Sequence, residues 1–484
     1  MTFAVRLQHV LFAGFAVASI ILLTRFDGHY ILAGTAMLVL SLAFLASLLG
    51  YRTLMLFLVA TLPFSINYEL ERTGANVLVP SELLMLPVAA AFLIRNIFLT
   101  PATKNILRHP VTSLILFLLA AQFVSVFFST MMVVSLKAMV IKMLYVLVFY
   151  FVCAEQFLSD ENNIPKFYLA YLVPFIGVIW YTLHRHAAFN FSKGYAGTAP
   201  EPFYSDHTIY GICLVFMIPL TALLALKAGK WMGSRFFGLL LTAAAVLLCI
   251  ATFYSTSRAA WLSVAVMAVA AIVLYLRIRA WHLLIVFIGI SGYALLNLEY
   301  INIAVRSNRY DSKALTADLE TQAKSITNIT NDNSNAERIN RWKCAIKMGA
   351  AKPLTGFGPG TYQFQYLSFQ KPEDMTSISI RSPYHVTKGR GGTAHNEFLL
   401  VLSESGVVAF FIFIALVLTV VYIASSAFRS MRNPDSKAML FAVYLGWISY
   451  VCHSLFNNFL DTDKAAFLFY SAMAAIVAAD IRER

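Results

Sequence analysis

Apolar runs recur along the whole chain, near residues 10–24, 31–49, 53–67, 82–98, 111–129, 131–152, 166–183, 207–226, 236–254, 259–276, 281–298, 395–424, 438–456 and 465–480. In lipid, each backbone N–H and C=O must be satisfied within its own segment. A helix of about 20 apolar residues does this across the hydrocarbon. The pattern therefore predicts an all-α polytopic membrane protein. A few runs are short enough to re-enter rather than cross, so the fourteen runs predict 12–14 transmembrane helices. Only 13% of the 484 residues are charged, against about 25% in a soluble domain, and mean hydropathy is +0.71. That balance excludes a soluble fold. The first run ends at Arg25 with no small-residue cleavage site, so a retained helix is expected rather than a signal peptide.

The net charge of +13 reads as topology and attraction to anionic membrane lipid, not as nucleic-acid binding. The loops with Lys104/Arg108, Lys227/Lys230/Arg235, Arg277/Arg279 and Arg429/Arg432/Lys437 are basic, and an even number of runs separates each pair. All four are therefore expected in the cytoplasm, with both termini. The loops near 68–81, 184–206 and 254–258, the segment 300–394 and the Asn457–Lys464 turn are then expected outside. This divides the chain into an N-terminal transmembrane bundle (1–299), an extracytoplasmic loop (300–394) and C-terminal transmembrane helices (395–484). The five scattered cysteines form no CxxC pair, so neither a disulfide framework nor a zinc site is expected.

The long loop has internal order. Residues 311–336 are rich in Asn, Ser, Thr and Asp and read as flexible, whereas 337–351 read as an amphipathic helix with Ile339, Trp342, Ile346 and Met348 on its buried side. Pro353 ends it, and Gly356-Phe-Gly-Pro-Gly360 is a turn that needs glycine's backbone freedom. Residues 368–392 read as a basic loop. Segment 300–394 holds 13 Lys/Arg against 7 Asp/Glu, which suits an anionic head group.

Charged groups in the hydrocarbon cost roughly 2.5–3.5 kcal/mol each, so those that interrupt apolar runs are candidates for function. Thr393-Ala-His-Asn-Glu leads from the polar loop into the run that ends near 424, and brings His395, Asn396, Glu397 and Glu404 to the membrane surface. A neutral imidazole with a pKa near 6.5 suits a general base; spacing leaves open whether Asn396 or Glu397 orients it. Arg258, in Tyr254-Ser-Thr-Ser-Arg, sits beside hydroxyls in a short outer turn, and a guanidinium there can grip phosphate bidentately. Arg338 and Arg341 on the loop helix read equally as solvated groups or as site residues. Asp206 precedes His207 at the start of a run, where a helix cap is the first reading. His453, Asn457, Asn458, Asp461 and Asp463 crowd the outer end of another run. Asp461-x-Asp463 has the form of a metal-binding D-x-D, but so short a match is frequent by chance, and lining or capping is the favoured reading. The topology sets all these groups on one side of the membrane, which suggests a single pocket.

Four ordered elements resemble the O-antigen ligase/polymerase superfamily of bacterial envelope proteins. They are Pro202-Phe-Tyr-Ser-Asp-His-Thr-Ile-Tyr-Gly211; Ser255-Thr-Ser-Arg-Ala-Ala-Trp-Leu262; Arg338-x-x-x-Trp342 with Pro353-Leu-Thr-Gly-Phe-Gly-Pro-Gly-Thr-Tyr362; and His395-Asn-Glu-Phe-Leu399 with Glu404-x-Gly406. Together they span about residues 200–410. The resemblance implies glycan transfer from a polyprenyl diphosphate to an acceptor sugar hydroxyl at the outer face of the bacterial inner membrane. It implies inversion without a metal or other cofactor. His395 would be the base, and Arg258 and Arg338 the diphosphate grip. Relatives often carry a further arginine before the Asp-x-Asn element; here Arg185 or Lys193 stands in that region, and Asp206-His207-Thr208 replaces Asp-x-Asn. The expected partners are the lipid-linked donor, a glycolipid or glycan acceptor, and membrane lipid. Ligation to lipid A–core is the reading carried forward, with polymerisation on the carrier as its alternative. A flippase of lipid-linked sugars is the rival from another class, though polar groups gathered at one face favour an enzyme.

Overall fold

The computed structural model describes residues 51–70, 75–231, 233–276, 278, 293, 296–297, 333–381 and 392–484. The runs near 10–24 and 31–49, and most of the run near 281–298 and of the segment 311–336, lie outside the described residues. Helix α1 (Tyr51–Thr61) ends in a 3-10 turn and leads into an antiparallel hairpin, β1 (Ile66–Leu70) and β2 (Ala75–Val79), registered Ile66 against Val79. The predicted span 53–67 is thus shorter than expected, because its last residues open into the hairpin. There follow α2 (Ser81–Arg95), α3 (Pro101–Leu107), α4 (Pro110–Phe127), α5 (Met132–Ser159, with a π-helical stretch at Val146–Val152), α6 (Asn163–Ala187), α7 (His207–Trp231), α8 (Arg235–Tyr254), α9 (Arg258–Tyr275), α10 (Asn333–Ala351), α11 (Glu397–Ser430), α12 (Pro434–Ser454) and α13 (Asp463–Glu483).

Among the described residues, eight helices are long and apolar enough to cross a membrane: α4 to α9, α11 and α13. This is the all-α, multi-pass membrane architecture that the apolar runs predicted. Helix α12 falls short on hydropathy, yet its ends meet opposite ends of the bundle. It packs against protein rather than lipid, so Ser449, Tyr450 and His453 are buried in it without exposure to hydrocarbon. Helix α13 runs through the centre. Its alanines at 465, 466, 472, 474, 475, 478 and 479 are all buried, and such small side chains let neighbouring helices approach closely.

Ion pairs sort the two ends. At one end Lys227 and Lys230 meet Asp435, His109 meets Asp480 at 3.1 Å, Arg482 meets Glu161 at 3.4 Å, and Arg95 meets Glu155 at 3.3 Å. These belong to the loops predicted to be cytoplasmic. At the other end Ser65 and Ser81 donate to the Asp463 carboxylate, and Lys464 Nζ donates to the Ser65 carbonyl at 2.9 Å. The hairpin and the turn before α13 are thereby tied together on the opposite side.

The loop helix α10 begins at Asn333, four residues before the predicted start, and buries a different face. Glu337, Asn340, Arg341, Cys344, Ala345 and Met348 are buried, while Ile346 is 52% exposed. Of the predicted buried side, only Met348 is fully covered. The reason is a buried polar network. Glu337 accepts from Arg341 Nε at 2.9 Å, Thr376 Oγ1 at 3.1 Å and the Ser379 hydroxyl. That network turns the polar face inward against residues 376–379, which apolar periodicity alone cannot anticipate.

Candidate active site

The site is built on a break in α11. Gly406 has φ +80° and ψ 180° within that helix, a conformation only glycine holds without strain. The break leaves carbonyls of the preceding turn free. The Gly356–Gly360 turn, with φ of +63°, +106° and +76° at its three glycines, takes them up. Phe357 N donates to Ser403 O at 3.1 Å and Gly358 N to Glu404 O at 2.8 Å, while Val407 N donates to Pro353 O at 2.7 Å. The Glu404 side chain accepts from Tyr362 N at 3.0 Å. The Pro353–Tyr362 and Glu404-x-Gly406 elements therefore form one clamp that fixes α10 and the first turns of α11 to each other. Glu404 is spent inside that clamp.

His395 lies two residues before α11 in the left-handed region, with φ +50°. Three contacts hold it there. Trp342 Nε1 donates to its carbonyl at 3.1 Å, Arg341 Nη1 donates to the Thr393 carbonyl at 3.0 Å, and the imidazole hydrogen-bonds the Asn457 side chain. The Asn457 amide nitrogen has no partner, so the bond runs from a ring N–H to the amide oxygen. The orienting group is thus neither Asn396 nor Glu397. Asn396 caps α11 by accepting from Leu399 N at 2.9 Å and donates to Leu455 O at 2.8 Å. Glu397 accepts from Phe459 N at 3.1 Å and Leu460 N at 3.4 Å. Both residues hold the 455–460 turn, and that turn delivers Asn457 to the imidazole. Burial, then the charges of Arg341 and Arg338, push the His395 imidazole from 6.5 down to about 4, against the opposing pull of Asp206.

Asp206 caps α7 through Thr208 N at 2.8 Å and meets His207 Nδ1 at 2.8 Å. Burial raises its carboxyl, but His207 and Thr208 outweigh that and hold it below the usual carboxylate range. Its charge reaches both His395 and His453, as does that of Arg338. Asp206, His207, Arg338, His395, His453 and Asn457 are therefore neighbours. Arg258 opens α9 just after its cap Ser257, which packs on Gly211 one turn into α7, where a Cβ would come within 3.2 Å of the Ser257 Cβ. Arg258 thus shares the His207 end of the bundle.

Two of the other arginines are committed to structure. Arg341 is buried, paired with Glu337 and set over the Tyr366 ring at 5.0 Å. Arg185 binds the loop that follows α6, donating to Ala199 O at 3.3 Å and Tyr195 OH at 2.8 Å, as well as to Glu201 O. Asp463 is occupied by Ser65, Ser81 and its neighbour Lys464. Burial pushes the Asp461 carboxyl up.

Three groups were missed in the sequence: Glu337, the ring-orienting role of Asn457, and Lys142. Lys142 interrupts an apolar run, a signal that was available. It lines a small void of about 20 Å³ with Gln122 and Glu397, and its charge acts on Glu397, Glu404 and Asp461. A lysine inside an apolar run is costly in hydrocarbon, and its place near these acids within the bundle lowers that cost.

Residues 243–414 match the O-antigen ligase family. The match covers Arg258, Arg338, the glycine clamp and His395. The chain carries a domain of the O-antigen ligase/polymerase superfamily. No curated protein matches the sequence significantly. That domain and the eight long apolar helices support a multi-pass bacterial membrane protein of O-antigen and polysaccharide biosynthesis, with ligase/polymerase-type activity. Within this domain backbone hydrogen bonds join the Gly356–Gly360 turn to α11, Arg338 stands on α10, and Arg258 opens α9 at the His207 end of α7.

Proposed function

We propose that the protein transfers a glycan from a polyprenyl diphosphate to an acceptor sugar hydroxyl, and that it acts as an O-antigen ligase on lipid A–core at the outer face of the inner membrane. His395 is the general base. Its one N–H is given to Asn457, which leaves the other ring nitrogen's lone pair for the acceptor hydroxyl. The hydroxyl oxygen attacks the anomeric carbon as its proton passes to His395. The bond from that carbon to the diphosphate oxygen breaks, and its electron pair stays on the diphosphate. Attack opposite the leaving group inverts the anomeric centre. Arg258 and Arg338 hold the diphosphate and absorb the charge that grows on it. Diphosphate departs as an anion without a proton, so one base suffices and no metal or other cofactor is called on.

The observation that carries this reading is His395 in a left-handed conformation, pinned by Trp342 and Asn457 and kept neutral beside Arg338. Arg338, whose charge helps depress the imidazole, is also one of the two arginines that the anionic diphosphate neutralises. His395 therefore becomes a stronger base once the diphosphate is bound. Arg341 and Glu337 position the loop, and Arg185 braces the segment before α7.

The test is an assay with purified protein, lipid-linked donor and two acceptors, lipid A–core or a second carrier-linked glycan. Wild type is expected to glycosylate lipid A–core, and His395→Ala to remain folded in membranes without transferring. Product only on the carrier-linked glycan would make the protein a polymerase. Translocation of donor without any new glycosidic bond would make it a flippase. Full activity of His395→Ala would remove the base.

A further inference from the structure

The last two turns of α12 and the segment after it carry polar groups that satisfy nothing in the protein. Both ring nitrogens of His453, the Asn457 amide nitrogen, and both the amide nitrogen and oxygen of Asn458 are buried without a hydrogen-bond partner. The three residues are at most 3% exposed. A buried unpartnered donor or acceptor costs about 1–3 kcal/mol, so five such atoms within six residues are not a packing accident. The segment is also held rigidly. Asn396 and Glu397 fix it through Leu455 O, Phe459 N and Leu460 N, and preorganised polar groups of this kind mark a binding site.

We infer that His453, Asn457 and Asn458 form the subsite for the sugar ring bonded to the carrier diphosphate. This rests on the transfer reading above and names the part of the donor that these residues grip. His453 lies in the field of Arg338, Asp206 and His207, while Asn457 touches His395. The cluster therefore adjoins both Arg338 of the diphosphate grip and the base. In a displacement at the anomeric carbon, the ring bearing that carbon must occupy this place, with the leaving oxygen on one side and the attacking oxygen on the other. A sugar ring presents donors and acceptors at nearly every carbon. Two carboxamides and an imidazole supply the matching mixture of both. Phe459, with its ring centroid 5.9 Å from that of His453, gives the subsite an apolar wall.

The test uses full-length protein and a set of polyprenyl-diphosphate monosaccharides, one intact and the others each lacking one hydroxyl. Asn458→Ala and His453→Gln are compared with wild type in kcat/KM for transfer. In wild type, at least one deoxy donor is expected to lose roughly tenfold, the equivalent of one hydrogen bond. In the variant that lacks the matching side chain, the same deoxy donor should lose nothing further. Such non-additivity is a signature a purely structural role would not give. Binding of the intact donor to His395→Ala, measured at equilibrium, should weaken by a similar factor when Asn458→Ala is added. Should His453→Gln fail to fold, Asn458→Ala carries the comparison alone. Strictly additive losses at every hydroxyl, or deoxy donors equal to the intact one, would overturn the subsite and leave the transfer reading standing. No transfer by wild type from any donor would remove both.

Discussion

Replacing Gly406 by alanine tests the central claim that a break in α11 assembles the site. A Cβ at Gly406 would stand 2.5 Å from Leu354 O and 2.7 Å from Pro353 O. Holding a non-glycine residue at φ +80°, ψ 180° costs on the order of 1–3 kcal/mol. The overlap with the Pro353 and Leu354 carbonyls must also force the clamp apart. The bonds at risk are Val407 N to Pro353 O, Gly358 N to Glu404 O and Phe357 N to Ser403 O, each worth about 1 kcal/mol. The expected loss is therefore roughly 4–6 kcal/mol, a large share of a typical 5–15 kcal/mol. Gly229→Ala is the control. Gly229 lies within α7 with nothing within 4 Å of an added Cβ, so alanine there should be neutral or gain about 0.5–1 kcal/mol from helix propensity. Both variants are purified in detergent, and their thermal unfolding midpoints and transfer rates are compared with wild type. Gly406→Ala should unfold at a clearly lower temperature and lose most transfer, while Gly229→Ala should match wild type. Equal midpoints for the two variants would refute the clamp.

Arg258→Lys should lower kcat/KM at least tenfold with normal folding, because a lysine lacks the bidentate fork; an unchanged rate would leave Arg258 as a helix anchor only. A base must be neutral, and the free His395 imidazole is depressed to about 4. The free-enzyme pH profile of kcat/KM should thus stay flat from neutrality down to near 4, and Arg338→Gln should move its acid limb to higher pH. An acid limb at 6.5 in wild type would contradict the burial of His395. Trp342→Phe removes the donor to the His395 carbonyl while keeping a ring in place, and should reduce kcat about tenfold with little change in donor KM. A change confined to KM would place Trp342 in binding instead.

Much of the fold was legible because a bilayer sets element length. The starts of α7, α8 and α9 match the apolar runs to within a residue, since the membrane needs the same number of apolar residues wherever a helix crosses. The turn at Gly356–Gly360 was equally readable, because positive φ is a local demand on one residue. His395 could be singled out for the same kind of reason, as an imidazole at the mouth of an apolar run. Helix α12 is the instructive middle case. Its run was visible, but its modest hydropathy makes sense only once it is seen packed among protein neighbours.

What tertiary structure alone decided are the pairings between distant segments. The choice of Asn457 over Asn396 or Glu397 depends on how the turn after α12 meets the start of α11. The inward polar face of α10 depends on Thr376 and Ser379 being there to satisfy Glu337. Lys142 gains its meaning from three acids supplied by other parts of the chain. Periodicity and spacing report a segment's own free energy in water or lipid, whereas a buried polar group is tolerable only if a specific partner arrives. Which partner arrives is set by long-range packing, and so His395 stood out in one dimension while the residue that aims its ring did not.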